Sequence, residues 1–254
     1  FQQLRRAGFD LKQVRELFIT HHHFDHIGSL FACLGLNMMM HRHQPMNIYG
    51  PPGTSKILDH LIAACDIPQA TGFSVPGQTL PHPRDFINSR DIQPGEILYI
   101  DDIRISCCEN THYRPEDQFG KQGPISLSYR FDAPDRSMVF TGDTGPCLAL
   151  EEFAKNADLL VGELFDTELV INRLRATNPD MSDHALLQMR QHFDEHHLTP
   201  EDLGQLASRA GVKKVVAVHI PFITKSAEED AKYVSRILAK FSGSVTISED
   251  LAAY

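Results

Sequence analysis

Six consecutive residues, His21-His22-His23-Phe24-Asp25-His26, place four metal-competent side chains in the order H-x-H-x-D-H. The register is fixed, because only His21 and His23 stand two apart with aspartate and histidine in the last two places. Imidazole and carboxylate together suit zinc and similar first-row divalent ions. An expression tag would carry no aspartate, and it would not follow the apolar run Leu17-Phe18-Ile19. The chemistry expected of such a set is hydrolysis. Two divalent ions roughly 3.5–4 Å apart can share a water and bring its pKa toward neutrality. A bridging carboxylate would offset part of the clustered positive charge. The ions would also polarise a scissile carbonyl or phosphoryl group and stabilise the charge that develops on it. Histidines must be neutral to bind, so occupancy should fall in acid.

Further candidates stand where apolar runs end. Leu17–Thr20 leads into His21, and Ile105–Cys108 leads through Glu109-Asn110-Thr111 into His112. Met138-Val139-Phe140 leads into Thr141-Gly142-Asp143, and Val215–Val218 into His219. If these runs are strands that share sheets and point the same way, their ends form one rim, and the ligands converge without relying on mobile loops. Taken singly, each is weak: His112 reads as a surface or structural histidine, Asp143 as a turn residue, and His219 as a satisfied core histidine. Jointly they fit one site.

The elements that must position these residues are legible in outline. Residues 1–7 read as the end of a helix stopped by Gly8. Glu16–Thr20 reads as a strand, Ile27–Met40 as a helix packed under the site, and Asn47–Tyr49 as a short strand. Gly50-Pro51-Pro52-Gly53 then opens a helix through Ala64. Residues 68–95, rich in proline and glycine, read as a long irregular rim. Glu96–Ile100 and Ile103–Cys108 read as a hairpin about Asp101-Asp102. Ile125–Phe131, Ser137–Thr141 and Leu159–Val161 read as strands. Thr199-Pro200-Glu201-Asp202 matches a capping box with proline at the first helical position. Leu203, Leu206, Ala207 and Ala210 give the helix that follows one apolar face, and Gly211 ends it. Val215–Val218 reads as a buried strand, followed by a helix at Ala227–Phe241 and a strand at Ser244–Ile247. The alternation implies an α/β or α+β architecture. A single domain over residues 1–254 is expected, because the candidate ligands run along the whole chain.

Composition narrows the setting. The chain has 254 residues and 42% hydrophobic content, enough for a full core. Its net charge of −9 repels phosphate backbones at long range. Five cysteines without a C-x-x-C pair point to reduced, buried residues and a cytoplasmic setting. No stretch has the length and apolarity of a membrane-spanning helix.

H-x-H-x-D-H, then an isolated histidine, then aspartate in a Thr-Gly-Asp-Thr-Gly turn, then histidine after a buried strand: in this order the motifs resemble the metallo-β-lactamase superfamily. The resemblance implies an αβ/βα four-layer sandwich with a dinuclear metal site at one edge of its sheets. It implies that His21, His23 and His112 hold one ion, that Asp25, His26 and His219 hold the other, and that Asp143 bridges them. Zinc is the first expectation, with manganese or iron(II) as alternatives. Asp25 counts as catalytic as well as a ligand.

The stretch His197-Leu198-Thr199-Pro200-Glu201, with Val212-Lys213-Lys214 and the strand to His219, resembles the ribonuclease Z branch, which is close to arylsulfatase-like members. That likeness implies that His197 stabilises or protonates the leaving oxygen and that Glu163 orients it. Read alone, His197 flanks a helix cap and Glu163 is a solvated strand end. Two departures stand out. The span from His112 to Asp143 is too short for the RNA-gripping arm of members that process transfer RNA, and the strands and glycine-rich loop expected before the first motif are missing. The segment between Glu163 and His197, with Asp166, Arg173, Arg175 and His184, reads as a substrate lid or a solvated helical excursion. His41, His43, His60, His82, His192 and His196 receive no role, and most are expected to be exposed.

The leading expectation is a metal-dependent hydrolase that cleaves an ester, phosphodiester, sulfate ester or lactam bond of a small molecule. A homodimer is compatible with it. The alternative is a transfer-RNA 3′-processing endoribonuclease, with nucleic acid disfavoured as a partner by the acidic charge and the missing arm. A mononuclear iron oxygenase of the same fold, or a scaffold without activity, ranks lower.

Overall fold

The structure, a computed structural model, describes residues 2–72, 77–113, 123–221 and 226–254. These form two compact units. The first comprises the described residues through Gln93 together with Asp250–Ala253, and the second those from Pro94 to Glu249 with Tyr254.

The first unit opens with a short helix α1 (Gln2–Arg6) and holds a parallel sheet of β1 (Glu16–Phe18), β2 (Met46–Gly50) and β3 (Ile87–Asp91), in that order. Phe18 pairs in register with Tyr49, and their rings stack at 4.8 Å. Between β1 and β2 lie a single turn, α2 (Phe24–Ile27), and α3 (Leu30–Met39). The buried residues of α3, Leu30, Cys33, Leu34, Asn37 and Met38, follow the helical repeat and form one face. The apolar ones among them pack with Ile48 and with Leu58 of α4 (Thr54–Ala64) in this unit's core. The buried Arg42 closes the base of the unit. Its guanidinium donates to the carbonyls of Gln44 (2.7 Å), Leu11 (3.2 Å), Val14 (2.9 Å) and Pro45 (2.9 Å) and to Asn37 Oδ1 (3.2 Å). All five donors of the fork are engaged, so the segment entering β1 is fixed to the segment entering β2.

The described part of residues 68–95 holds more regular structure than its composition suggests. It contains most of α5 (Asp66–Thr71), a 3₁₀ turn at Pro83–Asp85 and the strand β3; residues 73–76 lie outside the described residues. Asn88, Ser89 and Asp91 are poor strand formers, and β3 exists because an edge position gives its backbone a ladder with β2.

The second unit holds a seven-stranded sheet in the order β10-β9-β8-β7-β6-β5-β4, from β4 (Ile97–Ile100), β5 (Ile103–Glu109), β6 (Leu127–Asp132), β7 (Ser137–Phe140), β8 (Leu159–Glu163), β9 (Lys214–Val218) and β10 (Ser244–Ile247). The β4–β5 hairpin turns at Asp101, whose φ is 52°. Strands β4 to β7 pair antiparallel and β7 to β10 parallel. Strand β5 therefore runs in the direction of β7, β8 and β9, and the C-terminal ends of all four lie along one edge.

Helix α6 (Leu148–Phe153) follows β7, and a helical hairpin of α7 (Thr167–Thr177) and α8 (Asp183–His196) follows β8. Helix α9 (Pro200–Ala210) carries the expected capping box, with Thr199 accepting from Asp202, and ends on Gly211 at φ 65°. Leu203, Leu206, Ala207 and Ala210 are buried. The approach of α10 (Ala227–Leu238) is close: a Cβ added to Gly204 would sit 2.4 Å from the Ile237 carbonyl oxygen. None of the five cysteines, all described, forms a disulfide. No helix among the described residues is long and apolar enough to cross a membrane.

Candidate metal centre

In the first unit, β1 delivers the chain into the histidine loop. Thr20 Oγ1 lies 3.1 Å from His21 Nδ1, and the His21 ring is buried. The rings of His21 and His23 meet edge to face at 4.9 Å, and those of His21 and His26 lie tilted to each other at 4.0 Å. His26 Nε2 lies 3.4 Å from the Asp25 carboxylate. The loop thus gathers its four donors within one turn of chain. The intervening His22 is an anchor: its Nε2 lies 2.8 Å from Thr54 Oγ1 at the start of α4. That helix start is itself fixed by Asp91, which accepts from Gly53 N (2.8 Å) and Ser55 N (2.7 Å).

In the second unit the strand ends carry the expected residues. His112 follows β5, Asp143 follows β7, Glu163 ends β8 and His219 follows β9. Side chains lace these ends together. Asn110 Nδ2 donates to the Thr141 carbonyl at 3.0 Å, and Thr141 Oγ1 accepts from Glu163 N at 3.1 Å. One ligand atom each from His112, Asp143 and His197 lies within 4.8 Å of the others, and all three residues are buried. His219 Nε2 is 3.7 Å from Asp143 Oδ2. The His219 backbone sits at φ 55°, a left-handed conformation that histidine tolerates better than most residues and that surrounding structure must enforce.

These residues fit a transition metal. A carbonyl can only accept, so His112 Nδ1, 3.1 Å from the His196 carbonyl oxygen, carries the proton. The lone pair of His112 Nε2 then faces Asp143 Oδ2 across 3.9 Å. Two electron-rich atoms converging in a buried place call for a cation between them.

Glu163 is 1% exposed and takes His197 Nδ1 at 2.9 Å on one oxygen and the Thr144 N–H on the other. Burial, and then the Asp143 carboxylate, push the Glu163 carboxyl well above the usual range. Phe165 stacks on the His197 ring at 4.4 Å. The solvated reading of Glu163 is therefore excluded: Glu163 and His197 form one buried pair beside Asp143 and His112, and His197 also stands beside the cap of α9.

His196 is also buried, against the expectation of exposure, and Nδ1 lies 2.8 Å from the Thr111 carbonyl oxygen. Its role, and those of Phe165 and Thr54, escaped the sequence reading. Each acts on a partner remote in the chain, and none belongs to a metal-binding pattern. The segment after Glu163 takes its plainer reading. Asp166 caps α7, Arg175 pairs with Asp183, and both helices are largely solvated. Residues 114–122, in the span where an RNA-gripping arm would be inserted, lie outside the described residues.

Comparison with known proteins agrees with this chemistry. A family model described as a beta-lactamase superfamily domain matches residues 1–220. A ribonuclease Z from Mycobacterium avium is 26% identical over 254 residues, with 98% of this chain and 82% of the relative covered. The structure is similar to the metallo-beta-lactamase fold protein YhfI from Bacillus subtilis, with a TM-score of 0.64 and 17% identity over 97% of this chain and 79% of that one. It is also similar to the short form of human tRNase Z, with a TM-score of 0.61 and 16% identity over 99% and 82%.

Proposed function

The chain belongs to the β-lactamase superfamily, with the α/β metallo-β-lactamase fold and the activity of a metal-dependent hydrolase, and from that premise we propose that it is a dinuclear phosphodiesterase. Its observational support is the buried Glu163–His197 pair set against Asp143 and His112. A hydrolase acting on a good leaving group has little use for a proton donor. A phosphodiester, with its alkoxide leaving group, needs one.

The proposed ligands are His21, His23 and His112 for one ion and Asp25, His26 and His219 for the other, with Asp143 shared. Zinc suits this set of imidazoles and carboxylates. When bound, the ions supply a water of lowered pKa and positive charge opposite the developing phosphoryl oxygens. The protein's own groups do the rest. Asp25, on α2, takes up the proton of the attacking water. Glu163 holds His197 by Nδ1, and in the protonated imidazole Nε2–H gives its proton to the leaving oxygen, which departs as the alcohol while His197 becomes neutral. Burial keeps bulk water from competing for that proton.

A second reading, cleavage of transfer-RNA precursors, is favoured by one observation: a ribonuclease Z relative is matched over 98% of this chain. The net charge of −9 weighs against it. The test is a screen of zinc-loaded protein against bis(p-nitrophenyl) phosphate, p-nitrophenyl acetate, p-nitrophenyl sulfate, a cephalosporin and a precursor transfer RNA. Turnover of the diester above the other small substrates is expected. Turnover confined to the sulfate, acetate or cephalosporin overturns the phosphodiesterase reading. Cleavage of the precursor with steep salt dependence selects the second reading.

A further inference from the structure

We propose that His196 is a positioning residue of the metal centre, which fixes the ligand His112 through a two-way clasp. The proposal rests on the reading above that His112 binds metal. The clasp is built from the end of α8. The last carbonyls of a helix have no partner within it, and that of His196 is the acceptor for His112 Nδ1–H at 3.1 Å. The His196 side chain then reaches back, and Nδ1–H donates to the carbonyl of Thr111, the residue before the ligand, at 2.8 Å. One bond sets the tautomer and tilt of the ligand ring. The other fixes the backbone from which that ring projects. Both residues are buried, 4% exposed for His112 and 5% for His196, so water does not compete for either bond.

A third contact closes the wedge. A Cβ on Gly145, in the turn that carries Asp143, would lie 1.9 Å from the Glu195 carbonyl oxygen and 3.2 Å from His196 Cα. Residue 145 is therefore glycine so that the Asp143 turn can rest on the helix end. The next residue, His197, is held by Glu163. The end of α8 is thus the common support of His112, Asp143 and His197, and His196 is the side chain that fastens it.

A geometric substitution series tests this. Asparagine carries its amide nitrogen at about the place of histidine Nδ1, glutamine carries it one bond further out, and leucine has no donor. Zinc affinity is measured by chelator competition, with the visible spectrum of the cobalt(II) form as a report on ligand geometry and melting of the metal-free proteins as a control. His196→Leu is expected to weaken zinc binding by about tenfold to a hundredfold and to alter the cobalt spectrum, and His196→Asn to restore most of both. If the leucine variant does not fold, the amide pair decides: tight binding by His196→Asn with weak binding by His196→Gln supports the clasp. Wild-type affinity in His196→Leu, or equal affinities in the two amide variants, overturns it. Wild-type protein that takes up neither zinc nor cobalt overturns the metal-centre reading itself, and the clasp with it.

Discussion

The His197 ring is held on three sides: Glu163 at Nδ1, Phe165 stacked on its face and His112 edge-on at 4.9 Å. A side chain so confined loses little entropy on reaching its working position, which is where a proton donor gains most. His197→Ala is therefore expected to lower kcat by about 10²–10⁴-fold for diesters with alkyl leaving groups, and far less for nitrophenyl leaving groups. The measurement is a leaving-group series, and a uniform loss across it would remove the proton-donor role. Asp143→Ala should lose both activity and bound metal, read by elemental analysis of the purified variant. Full turnover by that variant would refute the proposed centre. Both positions could be found in the sequence because each lies in a recognisable string, Thr-Gly-Asp-Thr-Gly for Asp143 and His-Leu-Thr-Pro-Glu for His197. The contact between Glu163 and His197 could only be expected from a resemblance, since 34 positions separate them.

Among the elements, the capped helix α9 was readable down to its last residues, because a capping box, an apolar face and a terminal glycine are all local signals. Strand β3 was hidden, because its pairing with β2 overrides the weak propensity of its residues. Arg42 was silent for a similar reason: its acceptors are backbone carbonyls, which every residue has. Burial lowers the pKa of its guanidinium, yet no carboxylate appears among its hydrogen-bond acceptors. Its value to the fold is geometric. Arg42→Lys cannot reproduce a five-donor fork and should cost on the order of 3 kcal/mol, the result of leaving several buried carbonyls without a donor, measured by denaturant unfolding. Gly204→Ala should cost about 1–3 kcal/mol by forcing α9 away from α10. An unchanged midpoint in that variant would mean that the helices separate freely.

For the molecule as a whole, acid should act in two stages. Metal is expected to leave first, because protons compete with the metal for the proposed ligand histidines. The fold should respond later. Asp158 is held well below the usual carboxylate range, first by the Lys213 ammonium and then by the N–H and hydroxyl of Ser137. A depressed folded value means that this contribution is complete above the unfolded value of about 3.9 and is lost as pH falls through the folded one. Asp158→Asn should flatten the stability profile below about pH 4 and leave the pH at which metal is lost unmoved. Chemical denaturation across pH, with metal analysis at each point, separates the two stages. A single coincident transition would show that metal, and not this carboxylate, governs acid stability.

By itself the sequence determined which atoms could do chemistry and where the chain would coil, extend and turn. Ligand types at fixed spacing, apolar periodicity and caps are properties of short windows, and a short window is all that local physics needs. Only the tertiary structure decided that β5, β7, β8 and β9 end on the same edge. The same holds for the burial of Glu163 with His197, and for the fastening of His112 by a histidine 84 positions away. Those outcomes depend on strand direction and on packing between distant segments. A hydrogen bond across such a distance leaves no mark in the local sequence, because either partner could satisfy its donor or acceptor elsewhere until the fold brings the two together.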